Sequence, residues 1–132
     1  MTCIGLLRCR ENETKCPLTN CFRSLVNREQ GFFGYDQTDL TGVFTLQDEM
    51  KETLDLARIL KSKGAEAIHV VTCAFAHKQE GTTWKLGHGF VPDVDHLCAR
   101  IAQTTGLPCI KGSAHLPPGY TPEVFYPDPP SN

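Results

Sequence analysis

Apolar and polar positions alternate in blocks along the chain, and the block lengths and spacings predict the elements. Cys3 to Arg8 is a short apolar run ending in a charge, which reads as a buried strand. Cys9 to Asn20 is polar, carries Pro17 and reads as a loop. Asn20 is then positioned to cap a short helix with Phe22, Leu25 and Val26 on one face. Residues 30–38, with Gly31, Gly34 and Asp36, form a connection to a second strand, Asp39 to Phe44.

The clearest helix follows. Leu46, Met50, Leu54, Ala57 and Leu60 recur at helical spacing, and Leu56 and Ile59 widen the stripe. Thr45 stands where an N-cap is expected, with Asp48 three residues on, and Gly64 stands where the helix should stop. Ala67 to Cys73 is a continuous, β-branched apolar run. After a helix and a short link, such a run marks a strand of a parallel sheet covered on both faces. Ala74 to Pro92 is long and irregular, and a stretch of that kind in a small domain is commonly functional. A third helix is expected from Asp93 to Thr105, with Val94, Leu97, Cys98, Ile101 and Ala102 inward and Gly106 as its stop. Pro108 to Lys111 is a last short strand.

The resulting order, β-α-β-α-β-α-β, predicts an α/β fold: a three-layer, doubly wound, four-stranded parallel sheet with helices on both faces. Right-handed crossovers and strand order 2-1-3-4 are expected. Residues 1–116 form the single domain in this reading. Residues 117–132 form a tail that holds six of the nine prolines and lies extended or docks through Tyr120, Phe125 and Tyr126.

At 132 residues the chain is one domain in size, and its near-ordinary hydrophobic content excludes wholesale disorder. A formal charge of −2 offers neither a nucleic-acid footprint nor a polybasic membrane patch. No apolar run is long enough to span a bilayer, and Met1 to Arg8 lacks the pattern of a signal peptide, so a cytoplasmic location is expected. Nucleic acid and membrane are therefore not expected partners. A small molecule, a protein or a second copy of the chain stays open.

Seven cysteines and five histidines are the unusual part of the composition. In a reducing compartment an odd, clustered set of cysteines points to metal or redox chemistry rather than a disulfide framework. Open parallel sheets bind ligands beyond the carboxyl ends of their strands. Cys9 follows the first strand, Cys73 ends the third, Cys16 and Cys21 belong to the loop after the first, and His115 follows the last. All five are expected at one edge. Thiolates there can share a metal at an S–metal distance of about 2.3 Å, or can pair as a disulfide.

The remaining thiols, Cys3, Cys98 and Cys109, read as packing residues. His69 lies inside a buried strand and reads as a hydrogen-bonded core histidine. His77 and His88 belong to the long loop, and His96 to an exposed helix face. The spacing Cys9-x6-Cys16-x4-Cys21 is no zinc-finger or ribbon signature. The thiol-phosphatase pattern fails, because the residues six after Cys9, Cys16 and Cys73 are Lys15, Phe22 and Gln79, where an arginine is required. Gly-rich phosphate loops and a Gly-x-Ser-x-Gly elbow are absent from the sequence.

Arg8-Cys9, Cys16-Pro17 and Cys21-Phe22, the stretch Gly64 to Cys73, and Gly112-Ser113-Ala114-His115 together resemble the CGGC-domain proteins of bacteria and archaea. The resemblance covers most of residues 2–116 and implies metal binding through cysteine and histidine. The sequence departs from the family at the motif that names it, carrying Thr45-Leu46-Gln47-Asp48 there, and it has Val91 where a further cysteine precedes a proline. Cys9, Cys16, Cys21 and Cys73 remain, enough for one tetrahedral ion, with His115 able to replace one of them. The expectation is Zn2+, with iron as the other metal. A cysteine-based redox enzyme and a non-catalytic relative that has lost its site are the alternatives.

Overall fold

The computed structural model describes every residue except Glu80, Thr82 and 129–132; two of the tail prolines thus lie outside the described residues. The strands are β1 (Thr2–Arg8), β2 (Thr38–Thr45), β3 (Ala67–Val70), β4 (Ala76–Lys78), β5 (Trp84–Leu86), β6 (Cys109–Lys111) and β7 (Glu123–Phe125). The helices are α1 (Thr19–Asn27), α2 (Met50–Ser62) and α3 (Val94–Thr105). None is long and apolar enough to cross a membrane.

The main sheet runs β2-β1-β3-β6-β7. Its first four strands are parallel and adopt the expected order 2-1-3-4. The expected four-stranded sheet is extended by β7, which pairs antiparallel to β6 through Cys109–Phe125, Ile110–Val124 and Lys111–Glu123. This strand comes from the proline-rich tail, where only three residues separate Pro122 from Tyr126 and no period-2 pattern can show. Tyr120 fastens the tail: its hydroxyl donates to the carbonyl of Lys111 at 2.6 Å, and its ring packs on Phe75.

The pleat sorts β1 residues between the two faces. Ile4 and Leu6 pack with Leu25 and Phe32 on the α1 side, whereas Leu7 joins the core made with α2 and α3. Gly5 also faces α2. A Cβ there would stand 2.9 Å from Leu60 Cδ1, so the absence of a side chain lets helix and strand approach closely. Leu54, Ala57 and Leu60 of α2 and Leu97, Cys98 and Ile101 of α3 are buried as expected, whereas Ile59 and Val26, expected to extend the inward faces of α2 and α1, turn towards solvent. Asp93 caps α3 by accepting from the His96 N–H at 3.3 Å, and Gly106 ends it at a left-handed φ of 72°.

Two expected caps are different residues. Thr45 is not an N-cap, because β2 stays paired with β1 as far as Arg8–Thr45 and the chain needs several more residues to turn back. Thr53 does the local work, its hydroxyl accepting from the Gln47 N–H at 3.0 Å. Asn20 lies within the first turn of α1, and its side chain reaches across to His115 instead. The stretch expected to be irregular, Ala74 to Pro92, contains the β4–β5 hairpin, paired Ala76–Leu86, His77–Lys85 and Lys78–Trp84. Three-residue strands are too short to announce themselves by alternation.

Candidate functional site

The sheet reverses direction of growth between β1 and β3: β2 was added on one side of β1, and β3 and β6 on the other. At such a switch point the loops leave the two neighbouring strands in opposite directions and open a crevice beyond their carboxyl ends. Leu7 pairs with Val70, and the Val71 N–H donates to the Leu7 carbonyl at 3.1 Å. Two residues past Leu7 stands Cys9. Three past Val70 stands Cys73, in the 3-10 turn Thr72–Ala74. Their sulfurs meet at 3.0 Å.

That contact is a thiol donating to a neighbouring sulfur. The Cys9 hydrogen bond is the largest influence on Cys73 and lowers its pKa to about 7, against the opposing effect of burial. The Asn12 side chain and the backbone of Cys73 and Cys9 act in the same lowering direction. Cys9 is driven the other way, first by the same shared proton and then by burial. Of the two sulfurs, Cys73 is therefore the one that ionises more readily.

Cys21, buried on α1, approaches from the next strand end. Its sulfur lies 3.2 Å from the Ser113 hydroxyl. Burial raises its pKa most, against the lowering effect of hydrogen bonds from Ser113 and the Ala114 backbone. Cys16 is exposed and accepts the Leu18 N–H at 3.4 Å. The loop carrying it is held by Arg8, whose guanidinium donates to the carbonyls of Asn12 and Cys16 at 3.0 and 2.7 Å.

His115 completes the expected set from the loop after β6. It adopts a left-handed backbone, its Nε2 accepts from the Asn20 amide at 3.0 Å, and its ring stacks on Trp84 with centroids 5.2 Å apart. Burial, and then the charge of Lys78, lower its pKa.

All five expected residues line one cavity of about 550 Å³. Convergence is complete only for Cys9 and Cys73. Among the described residues no three His, Cys, Asp or Glu side chains stand together closely enough to hold a metal ion. Cys16, Cys21 and His115 each spend their ligating atom on a protein partner.

His77 and His88 stand edge to face at 5.5 Å beside the β4–β5 hairpin and also line the cavity. His69 is a core histidine as expected: Nδ1–H donates to the Gly112 carbonyl, Nε2 accepts from the Tyr35 hydroxyl, each at 2.9 Å, and the ring stacks on Phe32. Cys98 and Cys109 are buried as expected, and they also meet. The hydrogen bond from Cys98, then burial, push Cys109 up.

Sequence reasoning missed Asn12, Thr72, Ser113 and Trp84. Thr72 and Ser113 are adjacent to residues already singled out, and a search for hydroxyls beside the strand ends would have found them. Asn12 carries no signal, because its role depends on how the loop after β1 folds back.

The CGGC domain family model matches residues 3–114, most of the chain, and the chain belongs to the CGGC-domain family. The match includes Cys9, Cys16, Cys21 and Cys73 and ends one residue before His115. No curated protein and no solved structure matches the chain.

Proposed function

With CGGC-domain membership as the premise, we propose that the chain binds a thiophilic transition-metal ion, zinc first and iron second, at the carboxyl edge of its sheet. The observation that supports this is the Cys9–Cys73 pair: two sulfurs preset at the switch point, one of them already favouring the thiolate that a metal requires. Sulfurs on a tetrahedral zinc stand about 3.8 Å apart, given Zn–S bonds of about 2.3 Å. The pair fits after opening by less than 1 Å. Cys21 is the third ligand, released from Ser113, and Cys16 or His115 the fourth. The ion, when bound, would neutralise the gathered thiolates and, with four protein ligands, would serve as a closed structural centre. Asn12 and the local backbone hold the anchoring sulfur in place, and Ser113 and Asn20 hold the remaining donors in reserve. A chain with this many free thiols suits the reducing cytoplasm.

Elemental analysis of untagged protein, purified without added metal, tests the reading. About one equivalent of zinc or iron, with melting lowered by chelation, is expected. Less than a tenth of an equivalent with unchanged melting overturns it.

A second reading, thiol–disulfide chemistry, is favoured by the 3.0 Å sulfur contact itself. In it the Cys73 thiolate attacks an external disulfide and expels one half as thiolate. Cys9, losing its proton, then attacks Cys73 Sγ and expels the other half, leaving a Cys9–Cys73 disulfide. Peptide mapping after mild treatment with a small disulfide checks it. Failure to find the Cys9–Cys73 link disposes of this reading and leaves the metal reading intact.

A further inference from the structure

The charges around the thiol cavity are one-sided. Arg8, Lys15 and Lys78 line it, and among the described residues no Asp or Glu does. The chain as a whole carries more acidic than basic residues, 15 against 13, so this bias is local. The nearby carboxylates do not cancel it. Glu13 stands back and accepts the Thr45 hydroxyl, and Glu11 acts on Cys9 from outside the lining. Arg8 gives its terminal nitrogen to two carbonyls, and its Nε–H is buried without a partner. Among the described residues no carboxylate pairs with Arg8, Lys15 or Lys78.

Three permanently cationic side chains therefore line the cavity. Leu18, Val71, Ala76, Trp84 and Phe90 give the wall an apolar stretch, beside the polar Asn12, Thr72 and Ser113. A cavity of about 550 Å³ greatly exceeds an inorganic oxyanion and matches an organic molecule with an apolar body.

We infer that this cavity binds a small organic anion, its carboxylate, sulfonate or phosphate end held by Arg8, Lys15 and Lys78 and its apolar body laid along Leu18, Trp84 and Phe90 beside the Cys9–Cys73 pair. The inference goes beyond the metal reading and stands on the lining of the cavity, with or without an ion on the thiols. Lys15 belongs to the loop after β1 and Lys78 to the hairpin, so the anion bridges two segments.

Fluorescence titration with anilinonaphthalene sulfonate and with the uncharged phenylnaphthylamine tests it on the purified chain. The two dyes share an apolar body and differ in charge. At low salt the sulfonate is expected to bind about tenfold tighter, the sum of several partly exposed charge contacts, and to lose that advantage at high salt. Lys15→Glu with Lys78→Glu should bring the two dyes to parity while leaving the uncharged dye unchanged. Both lysines are exposed, so the double variant keeps its core; its melting temperature verifies this. Equal affinity of the two dyes, or a sulfonate affinity indifferent to the double variant, overturns the inference. The second outcome would place the dye on the other apolar surface, around Phe33, Val124 and Tyr126. Metal content is measured separately, so failure of either reading is seen apart from the other.

Discussion

Thr72 and Ser113 bond each other twice. The Ser113 N–H donates to the Thr72 hydroxyl at 3.1 Å, and the Thr72 N–H donates to the Ser113 hydroxyl at 3.3 Å. The two residues leave neighbouring strands, β3 and β6, just past their last paired positions, and both are buried. The clamp sets the turn that presents Cys73, and the same Ser113 hydroxyl holds Cys21. Two cysteine-bearing segments are thereby brought to one edge by ordinary hydroxyls.

Ser113→Ala should destabilise the chain by about 1–3 kcal/mol, because it leaves the buried Thr72 N–H without an acceptor. Urea denaturation measures this. A loss within experimental error would mean that the strand ends are held by the ladder alone.

The two thiol pairs should behave oppositely towards alkylation. In metal-stripped native protein Cys73 should label with iodoacetamide, and Cys98 and Cys109 should label only in denaturant, where their burial is lost. Cys9→Ala should slow Cys73 several-fold near neutral pH, since it removes the largest influence favouring the thiolate. Peptide mass mapping reads both effects.

His69 should make the fold acid-sensitive in a defined window. Burial holds its pKa at about 4, below the ordinary value of 6.5. Between those values the unfolded chain binds a proton that the native ring refuses, so stability falls as pH falls through the window. The full effect is on the order of 3 kcal/mol, at about 1.4 kcal/mol per pH unit. Denaturation midpoints measured from pH 7 to 4 should show this fall, and His69→Gln should flatten it.

Gly5→Ala should cost about 1–3 kcal/mol, because the new methyl meets Leu60 and Ile68 at 2.9–3.0 Å inside a packed layer. Phe33→Ala, at an 85% exposed position, should change stability by less than about 0.5 kcal/mol. Thermal melts of the two variants compare them directly.

The periodicities of residues 46–60 and 94–102 and the apolar runs at 3–8 and 67–71 were enough to determine α2, α3 and the two central strands. Each of those features is a property of one segment, expressed by which of its faces must leave water. The tertiary structure alone decided that Cys9 touches Cys73, that Cys98 touches Cys109, that Arg8, Lys15 and Lys78 share a cavity, and that the tail supplies a fifth strand. These are contacts between distant segments, set by strand register and loop path to within an ångström. Hydrophobic spacing along a chain carries no information at that scale. The same limit explains why five residues expected at one rim line a common cavity while only two of them are already in touch.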